Sequence, residues 1–81
     1  MAHSNQYVSE GTASASLELS LPWPSRAVEI INDSLTEILQ YKFNSGETYA
    51  TLEPSEVVNV AMHTKTIYLN GTGAYRVRAQ G

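Results

Sequence analysis

The sequence predicts an all-β fold: a small antiparallel β-sandwich or jelly-roll-like barrel of about seven strands with an extended N-terminal arm. Apolar and polar residues alternate over short runs, as in Leu17-Glu18-Leu19-Ser20-Leu21 and Tyr75-Arg76-Val77-Arg78-Ala79. Clusters of Asn, Gly, Ser and Pro recur about every ten residues, the spacing of turns between short strands. β-Branched residues fill the segments between these clusters, and Val57, Val58 and Val60 form the densest group.

The first segment, residues 1–14, reads MAHSNQYVSEGTAS and offers only Tyr7 and Val8 as anchors. So little apolar surface predicts a flexible or extended arm that orders when laid across a neighbouring subunit, with the β-sandwich domain occupying 15–81. The first strand is expected over 15–21, where Leu17, Leu19 and Leu21 share a face, and Pro22-Trp23-Pro24 ends it. A second follows over 26–32, with Val28 and Ile30 on one face and Asn32-Asp33-Ser34 as a closing turn.

Over 34–43 a helix competes, because Ser34 and Glu37 match a capping box and Leu35, Ile38, Leu39 and Lys42 fit helical spacing. The alternation of Leu39, Tyr41 and Phe43 favours a strand, and Asn44-Ser45-Gly46-Glu47 then supplies a hairpin turn into 48–53. Beyond Pro54-Ser55, the segment 56–62 places Val58, Val60 and Met62 on one face and Val57, Asn59 and Ala61 on the other. His63-Thr64 leads into a strand over 65–70. Asn70-Gly71-Thr72-Gly73 reads as a tight hairpin, from which 74–79 pairs back with Tyr75, Val77 and Ala79 on one face.

A chain of 81 residues accommodates one domain. Below roughly 80 residues a lone core supplies only about 3–5 kcal/mol, so reinforcement is expected. With no cysteine there is neither a disulfide nor a thiolate zinc site, and His3 and His63 are isolated from each other and from any ligand spacing. Oligomerisation or docking onto a larger partner remains.

The net charge of -3, with five basic residues in no run, disfavours nucleic acid as the main partner. Arg76 and Arg78 share one strand face and read as solvated or ion-paired. No apolar run approaches the ~20 residues of a spanning helix, and the N-terminal stretch lacks the apolar centre of a signal peptide. A soluble, cytosolically made chain is expected.

Catalysis is not signalled. No GxSxG elbow occurs, and the only candidate bases are His3 in the arm and His63 at a strand end. Gly71 and Gly73 belong to a turn between strands, not to a phosphate loop entering a helix, and the two Asn-x-Ser/Thr triplets, at Asn32 and Asn70, are read as turns. No cofactor and no metal is expected. Trp23, rigidly set between prolines, either plugs the end of the core or stands outward. If outward, with Tyr7, Tyr41, Tyr49, Tyr68 or Tyr75 nearby, it could stack on a sugar or anchor a protein contact.

Between Leu17 and Gly81, a span of about four fifths of the chain, the segments LELSLPWPSRAVEIINDS, LQYKFNSG, LEPSEVVNV and KTIYLNGTGAYRVRAQG carry a resemblance. They resemble small β-sandwich structural proteins of tailed bacteriophages, which serve as head decoration or cement proteins and as tail or fibre modules. The resemblance implies a non-catalytic virion protein, made in the host cytoplasm. It would bind and stabilise the major capsid protein lattice as a homo-oligomer, a trimer by expectation. A carbohydrate-binding or tail/fibre-associated module is the alternative. The residues expected to meet partners are Tyr7, Val8, Trp23, Arg26, Arg76 and Arg78; nucleic acid and membrane are not expected partners.

Overall fold

A computed structural model describes residues 6–13 and 15–81. The strands are β1 (Gln6–Thr12), β2 (Ala15–Ser20), β3 (Ala27–Asn32), β4 (Leu39–Lys42), β5 (Ala50–Leu52), β6 (Val57–Val60), β7 (Thr66–Gly71) and β8 (Ala74–Gln80). They form two four-stranded sheets, β1-β8-β3-β6 and β2-β7-β4-β5, with every pairing antiparallel. The all-β sandwich expected from sequence is the observed architecture.

Alternation places one apolar row of each sheet in the interior. Val28 and Ile30 of β3 with Val77 and Ala79 of β8 face Leu19 of β2, Ile67 and Leu69 of β7, and Leu39 and Leu52 from the β4-β5 pair. The inner faces of 15–21, 26–32 and 74–79 are those the sequence indicates.

Two expectations are corrected. Gln6–Thr12, placed by sequence in an arm outside the sandwich, is an edge strand paired along its length with β8. Only one large apolar residue, Tyr7, marks its inner side, where Ser9 shares a 3.4 Å hydrogen bond with the Tyr75 hydroxyl, and so its composition reads as polar. Residues 1–5 and 14 of the expected arm lie outside the described residues.

The second correction concerns Asn70-Gly71-Thr72-Gly73, which is a corner between the sheets and not a hairpin. β7 pairs with β2 and β4, whereas β8 pairs with β1 and β3. Asn and Gly suit a sharp change of direction of either kind, and the buried residues of both flanking strands face each other across the core. Gly71 has φ +151°, and a Cβ there would lie 2.9 Å from the Ile38 carbonyl oxygen. The corner is therefore packed onto the segment before β4.

That segment forms half of the capping box without a helix. Ser34 Oγ accepts from the Glu37 N–H at 2.9 Å and the Thr36 N–H at 3.2 Å. Leu35, at 82% exposure, and Ile38 gain no apolar surface to bury against, so helical periodicity has nothing to stabilise it and only Leu39 enters the core.

Asn32, the last residue of β3, is 1% exposed and joins the sheets. Its Nδ2 donates to the carbonyls of Glu37 at 2.8 Å and Leu52 at 3.0 Å, while Oδ1 accepts the Ser34 N–H at 3.0 Å. Ser25 does the same at the opposite end: its Oγ donates to the Met62 carbonyl at 2.6 Å and accepts the Thr64 N–H at 3.1 Å.

Candidate functional site

The strand register lays out the outer face of the first sheet in rows. One row runs Val8, Arg78, Glu29, Asn59; the next runs Glu10, Arg76, Ile31, Val57. Each row thus carries one cation, one carboxylate and an apolar edge residue. Val8 and Val57 stand at opposite edges, 57% and 50% exposed, and Ile31 is half-buried between them.

Across this face lies a depression of about 540 Å³ lined by Val8, Ala27, Glu29, Asn59, Ala61 and Arg78 among others. No residue of the second sheet lines it, so it opens outward and not into the core. Arg78 Nη1 lies 3.6 Å from Glu29 Oε1 at its floor, a loose pair that keeps hydrogen-bonding capacity.

Arg76 is held more firmly. Its Nε donates to Asp33 Oδ2 at 2.9 Å and its Nη2 to Asp33 Oδ1 at 3.0 Å, a bidentate fork. The hydrogen bonds from Arg76 keep the Asp33 carboxyl below its ordinary range, outweighing the opposing effect of desolvation; Asp33 in turn raises the Arg76 guanidinium. Both remain charged across the neutral range.

Of the residues the sequence indicates, Val8, Arg76 and Arg78 are brought together on this face. Tyr7 is on β1 but points inward and packs against the core. Trp23 is half-buried against the core at one end of the sandwich, its ring close to the Gly81 backbone. Arg26 is exposed beside the start of β3, its N–H donating to the Gln80 carbonyl. Val57, Ile31, Glu29 and Asp33 are additions. The signal for Val57 was its place opposite Val58 and Val60 in an alternating strand.

The outer face of the second sheet is polar and differently built. Lys42 Nζ sits 4.5 Å from the ring centroid of Tyr49 and 5.5 Å from that of Tyr68. Nearby, Asn70 Nδ2 donates to Gln40 Oε1 at 2.8 Å. His63 is exposed, and His3 lies outside the described residues. Among the described residues no three His, Cys, Asp or Glu side chains are grouped to hold a metal ion. No protein-family model matches the chain, and no curated protein does either.

Proposed function

We propose that this domain is a non-catalytic binding and assembly module whose outer β1-β8-β3-β6 face docks onto another protein. In the form that the phage resemblance gives it, it is a decoration or cement protein on a capsid lattice. The observation that carries the reading is the composition of that face: exposed Val8 and Val57 flank Ile31, with Arg76 and Arg78 between them. Apolar anchors with interleaved arginines are what protein contacts use.

Size decides what sort of partner fits. Four strands about 4.8 Å apart and up to seven residues long present roughly 450 Å². A standard interface takes about 800 Å² from each partner, so a single face gives weak attachment. A repeating lattice overcomes this, because copies joined to one another bind many equivalent sites at once. Homo-oligomerisation, with a trimer as the expected state, supplies that multivalency.

Co-sedimentation with assembled capsids tests the reading. The purified protein is expected in the particle fraction at a fixed ratio to the capsid subunit, and Val8→Asp with Val57→Asp lowers occupancy at least tenfold while leaving the circular dichroism spectrum unchanged. Undiminished occupancy of the double variant would refute this face, and absence of the wild-type protein from particles would refute the capsid role.

A carbohydrate-binding module is a second reading, favoured by Tyr49 and Tyr68 beside the Gln40–Asn70 amide pair on the other face. Titration with host polysaccharide distinguishes it: heat of binding lost in Tyr68→Ala and kept in the Val8/Val57 variant supports the sugar site.

A further inference from the structure

We infer that β1 is an exchangeable strand: Gln6–Thr12 of one copy takes the place beside β8 of a second copy. This inference holds whatever the outer face docks onto.

The first support is how little of β1 is committed to its own core. None of its seven residues is buried; Tyr7 and Ser9 alone are half-buried, and its side-chain hydrogen bond to the rest of the domain is the Ser9–Tyr75 contact at 3.4 Å. Its attachment is mainly the backbone ladder to β8 in the register Gln6 to Gln80 through Thr12 to Ala74. A second copy offers the same ladder with the same partners, so exchange loses no pairing once complete.

The second support is the corner that follows. β1 belongs to one sheet and β2 to the other, and only positions 13 and 14 separate them. Ala13 is 2% exposed and its N–H donates to the Gly73 carbonyl at 2.9 Å, a bond that travels with β1 and is remade on the receiving copy. The reversal therefore falls beyond it, where Ala15 has φ +61°. An L-residue with a Cβ is disfavoured there. Short connections under strain favour exchange, because the open arrangement lets the corner extend.

Exchange has a structural result. Gln6 and Val8 line the outer depression together with Glu29 and Arg78. In the exchanged assembly each depression is built by two chains, with Val8 contributed by the neighbour.

The chain has no cysteine, which makes the test direct. Val8 and Arg78 are Cα partners on the exposed face, at a separation that a disulfide spans. Val8→Cys and Arg78→Cys are made as separate single variants, mixed in equal amounts, held at about millimolar concentration, and oxidised. Exchange yields the mixed disulfide well above the one-half share that random collision gives, as read by mass spectrometry.

Adding Ala15→Gly to both chains relaxes the corner in the closed form and lowers the cross-linked fraction about tenfold at a fixed concentration. A mixed disulfide at or below the random share overturns the inference. So does a fraction indifferent to Ala15→Gly. A measured mass of one chain at every concentration also overturns it, and leaves the docking role of the outer face to its own test.

Discussion

Asp33 and Arg76, forty-three positions apart, meet in a two-bond fork of 2.9 and 3.0 Å that fastens the end of β3 to the middle of β8. The Asp33 N–H also donates to the Ala74 carbonyl at 3.0 Å, so the carboxylate is presented from a fixed backbone. Because the fork lowers the Asp33 pKa in the folded state, its contribution is fully present above the unfolded value of about 3.9. It is lost as pH falls through the lower folded value. Urea midpoints measured from pH 6 to pH 2 should show wild type above Asp33→Asn at pH 6, with the gap closing below about pH 4. A gap independent of pH would exclude an ionised fork. The pair is about one third exposed, so the gap is small and salt narrows it.

Asn32→Ala removes three hydrogen bonds at a site that is 1% exposed. The carbonyls of Glu37 and Leu52 lose their Asn32 donor, and the Ser34 N–H loses its acceptor. Buried polar groups left without partners cost about 1–3 kcal/mol each, and water entering the vacated space recovers part of this, so a loss of about 2–4 kcal/mol is expected in chemical denaturation. A change under about 1 kcal/mol would mean that the two sheets are not held together through this side chain.

Ser55→Gly should stabilise the fold. Glu53 to Glu56 is a turn closed by the Glu56 N–H donating to the Glu53 carbonyl at 3.0 Å, with Pro54 first and Ser55, at φ +66°, second of its central residues. That is the position where glycine is favoured. Relief of roughly 1–2 kcal/mol of backbone strain exceeds the roughly 0.5–1 kcal/mol entropic cost of glycine, leaving a gain of about 0.5–1 kcal/mol. Thermal unfolding of the single variant, against Ser55→Ala as control, measures it.

Alternation made the interior rows legible in the sequence, because a sheet with one face buried writes its register into every second residue. Leu19, Val28, Ile30, Ile67, Leu69 and Val77 are all where that pattern puts them. Which strand lies beside which was not legible. Asn70 and Gly71 specify an abrupt reversal, but whether the chain returns in the same sheet depends on surfaces contributed from elsewhere, here the Ile38 carbonyl and the buried side of β4. β1 escaped notice for a related reason: an edge strand needs one apolar residue and a backbone partner, and the partner lies at the other end of the chain. Of the outer face, alternation already put Arg76 and Arg78 on one side of a strand, but Val8 could be named and not set beside them, since that adjacency is a property of the β1-β8 register and not of local sequence.

β8 is synthesised last of the eight strands, yet it occupies the interior of the first sheet, between β1 and β3. The ribosome therefore releases every strand of the second sheet before the first can be completed. Until the stretch from Ala74 to Gln80 clears the exit tunnel, β1 has no neighbour and β3 has only β6, so the apolar side of the finished sheet waits uncovered. Vectorial synthesis gives this domain no early native half. A chain ending at Gly73 keeps most of the core residues but has no strand to join β1 to β3, so it has no closed core and is not a smaller version of the fold.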